Sequence, residues 1–326
     1  MKKKKFRPNI HLIIALFIIV ILVLIVRKFV GFGRYISQEE IDAISAPENP
    51  EMQDYDSIIP LRAEDDGTFP EDDGVMTVLC LGNAPFADDK DSPDNPCNLF
   101  AEATGATVYN CAISDTYLSA CNGEFQYLDF PMDAFSFYWL TTVFVVENKE
   151  IVKTAYKGID VLPDDLRKSV GILQNLDFRT VDVIYIMYDG SDYLEGRPVI
   201  NLANSIDIQT YVGAMTAGIQ LIQEYYPWIR IIVMSPTYSF GVDEDGSYVS
   251  SDIKVYGDSK LSMYVIEQAF AAEPLEVSFV DCFYGGIHED IASDYLIDNI
   301  HLNAAGRALV ARRMEEALQK SLPEQP

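Results

Sequence analysis

The pattern in this sequence most able to do chemistry is an aspartate three residues before a histidine, Asp298 and His301. At this spacing the carboxylate can accept a hydrogen bond from one ring nitrogen, which leaves the other nitrogen free as a general base. Hydrolytic triads orient their histidine in this way. The pair alone is common, and a histidine packed in a core or at a helix end would look the same. Its place in the fold therefore decides how it is interpreted.

Apolar runs and amphipathic segments alternate from residue 75 onward, which predicts strands alternating with helices. The predicted strands are 76–81, 107–111, 183–188, 229–234 and 275–280, and the predicted helices begin near residues 95, 208, 260 and 303. This order is typical of a parallel sheet covered by helices. The predicted fold class is α/β, a flavodoxin-like three-layer α/β/α sandwich with a central parallel sheet.

In such sheets the loops at the carboxyl ends of the strands form the binding crevice. The predicted strands place five loops there, namely 82–92, 111–119, 189–197, 235–251 and 282–301. The Asp298–His301 pair ends the last of these loops, directly before the final helix. The sequence therefore predicts a site at this edge of the sheet.

The segment from Asp298 to Asn303 resembles the last signature block of the SGNH (GDSL-type) hydrolases, in which Asp-x-x-His precedes the C-terminal helix. The resemblance covers residues 75–320 and includes the strand, helix and Ser-Pro-Thr sequence at 207–237. It implies the SGNH-hydrolase fold, with His301 as base and Asp298 as its orienting partner. We expect no cofactor and no bound metal.

Three other blocks depart from the family pattern. Gly82-Asn83-Ala84 stands where the family has Gly-Asp-Ser, so Ala84 occupies the nucleophile position without a hydroxyl. Asp115 replaces a glycine whose N–H helps to bind the oxyanion, and a carboxylate there opposes the developing negative charge. Ser191 replaces an asparagine that binds the oxyanion in the family, and its hydroxyl could still donate a hydrogen bond. Because removing a triad serine costs on the order of 10⁶ in kcat, the usual serine chemistry is not expected.

Other sources of activity are left open. Ser114 or Ser191 could approach His301 from the second and third blocks, and Ser92 could be a nucleophile on a longer first loop. Four aspartates could also gather with His301 to hold a hard cation or activate water: Asp115, Asp189, Asp192 and Asp298. Their spacing matches no metal motif.

The N-terminus combines a basic cluster with an unbroken apolar run, 12–26. As a helix, residues 10–26 would extend roughly 25 Å, which is short for a membrane span but workable when basic side chains snorkel at both ends. A cleaved signal peptide is the alternative, but no small-residue cleavage site follows the run directly. We predict a cytoplasmic tail at 1–9, a single-pass signal anchor in the plasma membrane at 10–28, and an exported C-terminal domain.

Charge divides the exported part into an acidic stalk, 29–74, and the SGNH-hydrolase-like domain, 75–326. Like charges and prolines predict an extended, solvated stalk. The chain carries a formal charge of −26 and only 24 basic residues against 50 acidic ones, which argues against a nucleic-acid partner. An aromatic-rich insertion at 122–175 is expected to form the core of a helical subdomain rather than a sugar-binding lid.

The five cysteines form no C-x-x-C pair, which argues against a zinc site. Cys80 and Cys282 are predicted as buried free thiols. One bridge among Cys97, Cys111 and Cys121 is left open.

Two functions from different classes follow, and whether the domain is an enzyme is left open. The first is a catalytically impaired homologue whose cleft binds a cell-envelope carbohydrate or a protein partner. The second is an active esterase or acyltransferase on cell-envelope polysaccharide, using Asp298 and His301 with a displaced serine. Ala84 and Asp115 favour the first, and the retained Asp298–His301 pair favours the second.

Overall fold

The computed structural model describes residues 55–60, 70, 73–125 and 130–321. The predicted cytoplasmic tail, the signal anchor and the first part of the stalk lie outside these residues. Within the described part of the chain, no helix combines the length and the apolarity that a membrane span requires.

A five-stranded parallel sheet lies at the centre of the domain. The strands in chain order are β1 (Thr77–Gly82), β2 (Thr107–Asn110), β3 (Val183–Met187), β4 (Arg230–Met234), β5 (Gly241–Val242), β6 (Tyr248–Val249) and β7 (Ser278–Val280). The central sheet has the order β2-β1-β3-β4-β7, and β5 pairs with β6 as a separate antiparallel ribbon. All residues of β1 and β3 are buried, as expected for strands covered on both faces. The predicted α/β architecture is confirmed.

Helices flank this sheet. They are α1 (Ala84–Ala87), α2 (Pro96–Thr104), α3 (Phe137–Val145), α4 (Lys149–Gly158), α5 (Asp164–Asn175), α6 (Ser191–Leu194), α7 (Tyr211–Tyr225), α8 (Leu261–Ala272), α9 (Glu289–Tyr295) and α10 (Ala304–Ser321). The side chain of Asn95 caps α2 by accepting the Cys97 N–H at 3.0 Å, and Gly105 ends the helix in the left-handed conformation. Asparagine, proline and glycine at these positions are sequence signals for helix ends, so α2 lies where predicted.

The aromatic-rich insertion packs onto the core of the sheet instead of surrounding a core of its own. Its helix α3 lies against α7, where the Phe137 ring fills the space beside Gly218. The same ring meets Tyr188 edge-on, with centroids 6.2 Å apart. Phe135 and Phe137 are fully buried, whereas Phe130 is half exposed. The aromatic residues thus belong to the main core, which the local pattern alone did not indicate.

Residues 55–60, here called the edge segment, lie along the outer edge of β7. Ser57 and Phe279 exchange both backbone hydrogen bonds, at 2.9 and 2.8 Å, in an antiparallel bridge. Ile58 packs against the core. The acidic composition predicted a solvated stalk here, but the exposed edge of β7 offers unpaired backbone groups, and the segment satisfies them. The folded domain therefore includes residues N-terminal to position 75.

All five cysteines are free in the structure, so no bridge joins Cys97, Cys111 and Cys121. The predicted burial of Cys80 and Cys282 is confirmed.

Candidate functional site

The Asp298–His301 pair has the geometry of a hydrolytic dyad. His301 Nδ1 lies 2.7 Å from Asp298 Oδ2, and Asp298 Oδ1 accepts the backbone N–H groups of Ile300 at 2.9 Å and His301 at 2.8 Å. These bonds fix the carboxylate on one side of the ring. The side chains remain 43% (His301) and 40% (Asp298) exposed, so the other ring nitrogen can meet a ligand.

Backbone contacts hold the turn that carries this dyad. The N–H of Ile297 donates to the carbonyl of His301 at 2.8 Å, and Leu296 and Leu302 form an antiparallel bridge. The N–H of Phe240, in the loop after β4, donates to the carbonyl of Asn299 at 2.8 Å. The dyad therefore lies where two loops meet at the carboxyl edge of the sheet.

The first block begins where β1 approaches β3 most closely. A Cβ atom on Gly82 would lie 1.8 Å from the carbonyl oxygen of Met187, and Gly82 has a φ of +151°. Only glycine satisfies both conditions. The next residue, Asn83, is buried, and its Nδ2 donates to Asp189 Oδ1 at 2.8 Å and to the carbonyl of Thr116 at 3.0 Å. Asn83 thus joins the first, second and third blocks.

Ala84 starts the short helix α1 directly after these contacts and is 9% exposed. Among the described residues, His301 makes no hydrogen bond to a serine or threonine hydroxyl. Ser92, the alternative nucleophile of the first loop, instead accepts the Asp94 N–H at 3.2 Å in a local turn. Ser114 is partly buried in the loop after β2. The hydrogen bonding therefore identifies no replacement for the missing serine.

Asp115 is exposed and has a φ of +57°. This left-handed conformation favours glycine, the residue of the family at this position, and aspartate tolerates it better than most residues. The backbone at Asp115 thus has a left-handed conformation that glycine readily adopts, and the Asp115 side chain places a carboxylate there.

Ser191 starts α6 and is tied to Asp189, which it follows by two residues. The Ser191 N–H donates to Asp189 Oδ1 at 3.0 Å. Burial raises the pKa of Asp189, and the hydrogen bonds from Ser191 and Asn83 oppose that change. The predicted role of the Ser191 side chain as an oxyanion donor stays untested.

Asp88 is a site residue that the sequence did not indicate. It follows α1, with its N–H donating to the carbonyl of Ala84 at 3.0 Å, and it is half-buried. Asn95 holds the surrounding loop by donating to the carbonyls of Phe86 and Asp88. Burial raises the pKa of Asp88 more than the positive charges of His301 and Arg307 lower it, so the pKa lies above its ordinary value. No motif marks Asp88, because its approach to His301 depends on the path of the loop.

The aspartates around His301 favour its charged form. Burial lowers the pKa of His301, but the hydrogen bond and charge of Asp298, with the charges of Asp88 and Asp189, outweigh it and raise the pKa. Burial raises the pKa of Asp298, but hydrogen bonds from the His301 and Ile300 N–H groups and the His301 ring lower it more. A carboxylate that raises the pKa of a histidine strengthens it as a base and as a charged hydrogen-bond donor, so this electrostatic environment is compatible with both catalysis and binding.

The proposed cation cluster does not form. Asp192 is buried away from the dyad, where its carboxylate accepts the N–H groups of Leu118 at 2.9 Å and Ser119 at 3.0 Å. In the described part of the chain, no group of three or more His, Cys, Asp or Glu side chains could hold a metal ion.

Comparison with known proteins finds relatives by structure only. No protein-family model matches the sequence, and no curated protein matches it. A solved protein from Lactobacillus plantarum superposes with a TM-score of 0.52 at 16% identity, over 76% of this chain and 97% of that chain. An aryl esterase from M. smegmatis gives 0.46 at 16% identity (76% and 100% covered). A carbohydrate acetylesterase from Sinorhizobium meliloti gives 0.45 at 13% identity (75% and 99% covered).

The Lactobacillus plantarum protein and this chain share a fold, since the superposition covers nearly all of the former. That superposition supports the predicted α/β fold, and the resemblance to the SGNH/GDSL hydrolases stays a prediction from the sequence. The functional roles of Asp298, His301, Ala84, Asp115 and Ser191 stay predictions.

Proposed function

We propose that this chain is a membrane-anchored, extracytoplasmic SGNH-hydrolase-like protein that uses its cleft to bind a cell-envelope carbohydrate or a protein partner, and that it does not cleave esters by the serine route. The anchor at 10–28 and the envelope location come from the sequence pattern. The fold supports a cleft at the carboxyl edge of the sheet.

The observation that carries the proposal is Ala84 at the start of α1. A methyl group there cannot attack a carbonyl carbon, and losing a triad serine costs on the order of 10⁶ in kcat.

An esterase assay on the full-length chain in detergent tests this proposal. The unmodified chain should hydrolyse an activated acetyl ester no faster than a His301→Ala variant. Ala84→Ser restores the family's nucleophile in a chain that retains the dyad, so its rate should exceed that of the unmodified chain by about 10-fold or more. The gain should stay far below 10⁶ because the oxyanion positions are altered. Ester hydrolysis by the unmodified chain that disappears in His301→Ala would contradict the binding proposal.

Binding has its own measurement. Soluble fragments of envelope polysaccharide should perturb the ring resonances of His301, because its side chain is 43% exposed at the carboxyl edge of the sheet. His288, which is 25% exposed and lies beside Asp290 in the same loop, is the comparison, and its ring should respond less than that of His301.

The active esterase or acyltransferase remains the second candidate, and the dyad itself favours it. A 2.7 Å hydrogen bond between Asp298 and His301, supported by two backbone N–H groups, is the geometry that catalysis would need. That candidate requires a serine from another loop, and the assay above decides between the two.

A further inference from the structure

The edge segment contacts the chain on both sides of the dyad. The Tyr55 N–H donates to Asp281 Oδ2 at 3.1 Å, and the Asp281 N–H donates to Asp56 Oδ1 at 2.8 Å. Asp281 is fully buried at the end of β7, where its other oxygen accepts the N–H groups of Phe283 and Tyr284. The segment thus contacts the residue that begins the loop leading to the dyad.

A second contact lies beyond the dyad, on α10. The Arg313 guanidinium donates to Asp56 Oδ1 at 2.6 Å and to the carbonyl of Asp281 at 3.2 Å. The side chains of Arg313 and Asp56 are 8% and 11% exposed, so solvent screens this ion pair weakly. Lys320 adds a longer contact to Asp56 at 3.5 Å.

Asp281 and Arg313 are therefore the two ends of one stretch of chain, 281–313, whose middle carries Asp298 and His301. Asp56 joins these ends through charged hydrogen bonds, which are among the stronger bonds in proteins. Within the stretch, α9 packs on α10, and Ile287 is tied back to the carbonyl of Cys282 at 2.9 Å. A change at Asp56 can thus reach the dyad through elements that are all in contact.

We propose that the edge segment is a clamp that positions the dyad, with Asp56 as its positioning residue. The inference rests on the proposed function only in taking the dyad as the ligand-facing part of the cleft. It holds equally for a binding cleft and for an esterase. Asp56 touches neither Asp298 nor His301 and acts through Asp281 and Arg313.

The length of the connecting chain allows the segment to dock on its own domain. Twelve residues, 61–72, connect the edge segment to residue 73, shortly before β1. An extended chain of that length reaches roughly 40 Å. The sheet order places β7 three strands from β1, or about 15 Å at ordinary strand spacing.

The test is a titration of His301 by NMR in the full-length chain with labelled histidine, in detergent, with His301→Gln used for assignment. The groups that face the ring are Asp298, Asp88 and Asp189. If the clamp positions the dyad, Asp56→Asn should lower the pKa of His301 toward its ordinary value, because the contact with Asp298 loosens. The Phe279 amide, which donates to Ser57, should exchange at least tenfold faster with solvent.

Glu316→Gln is the matched control, since Glu316 also pairs with Arg313, at 3.2 Å, but lies outside the edge segment. It should leave both the His301 titration and the Phe279 exchange unchanged. A lower melting temperature in Asp56→Asn with an unchanged His301 titration would overturn the proposal, as would an equal pKa change in Glu316→Gln. Should Asp56→Asn fail to fold, Ser57→Pro, which removes the N–H donated to Phe279, is judged by the same titration.

These outcomes are independent of the esterase assay. An active unmodified chain would contradict the proposed function and leave the clamp intact, whereas an unmoved His301 titration would remove the clamp and leave the function as proposed.

Discussion

At the scale of single residues, the candidate site combines a retained dyad with an altered surround. The spacing of Asp298 and His301 predicted their hydrogen bond, because three residues of a tight turn bring the two side chains together. Asn83 and Asp189 form a hydrogen bond although 106 positions separate them, and the sequence around neither residue predicted this contact. Such contacts depend on the order of the strands in the sheet. The sequence predicted the class of fold but not that order.

The charge of His301 gives a prediction at this scale. The pKa of His301 is raised in the folded chain, so its contribution to stability is fully present below its unfolded pKa and is lost as pH rises through the folded value. The pKa of Asp298 is lowered, so its contribution is lost as pH falls through the folded value. The dyad therefore stabilises the fold most between the unfolded pKa of Asp298 and the unfolded pKa of His301.

Asp298→Asn removes the charge and keeps the size of the side chain. Its stability deficit in urea unfolding should be largest near pH 5 and should shrink as pH rises through the folded pKa of His301. The His301 titration itself should move downward in this variant. A deficit that is equal at both pH values would show that the charge of Asp298 does not act on His301.

At the scale of elements, helix ends were the most predictable feature and close approaches between strands were the least. The limits of α2 are predicted by the residue types at its two ends, which are Asn95 and Pro96 at the start and Gly105 at the end. The need for glycine at position 82 arises from the β3 backbone, more than 100 residues away in sequence. The docking of the edge segment on β7 was missed for the same reason, since neither partner is informative without the other.

Alanine substitutions at two glycines with positive φ distinguish the cost of the backbone conformation from the cost of steric crowding. Gly105 has a φ of +73°, and a methyl group added there would meet no atom within 4 Å, so Gly105→Ala should cost about 1 kcal/mol. Gly82→Ala would place its methyl group against the Met187 carbonyl and should cost roughly 3 kcal/mol or more. Urea unfolding of both variants measures this difference. Equal costs would show that β1 can move away from β3 without loss.

At the scale of the whole molecule, charge is the dominant feature. The first 34 residues hold eight of the 24 basic residues and no acidic one, so residues 35–326 carry 16 basic against 50 acidic residues. Such an excess opposes compaction through mutual repulsion. Exposed ion pairs such as Lys153–Glu150 relieve little of it, because solvent and salt screen pairs of this kind. The buried core and the paired sheet must therefore stabilise the fold against its own charge.

Salt should then stabilise this protein. Raising NaCl from about 10 mM to about 1 M shortens the Debye length from roughly 30 Å to roughly 3 Å and screens repulsion between distant carboxylates. The buried Asp56–Arg313 pair is screened much less and should be retained. We expect the melting temperature to rise by about 3 °C or more, since about 1 kcal/mol corresponds to 2–4 °C in a domain of this size.

Choline chloride at the same ionic strength is the matched control, because it screens charge without supplying a small cation. An equal rise in both salts identifies screening of the net charge. A rise in NaCl alone would instead require a bound sodium ion, and a fall in both salts would mean that attractive surface pairs outweigh the repulsion among the 50 acidic side chains.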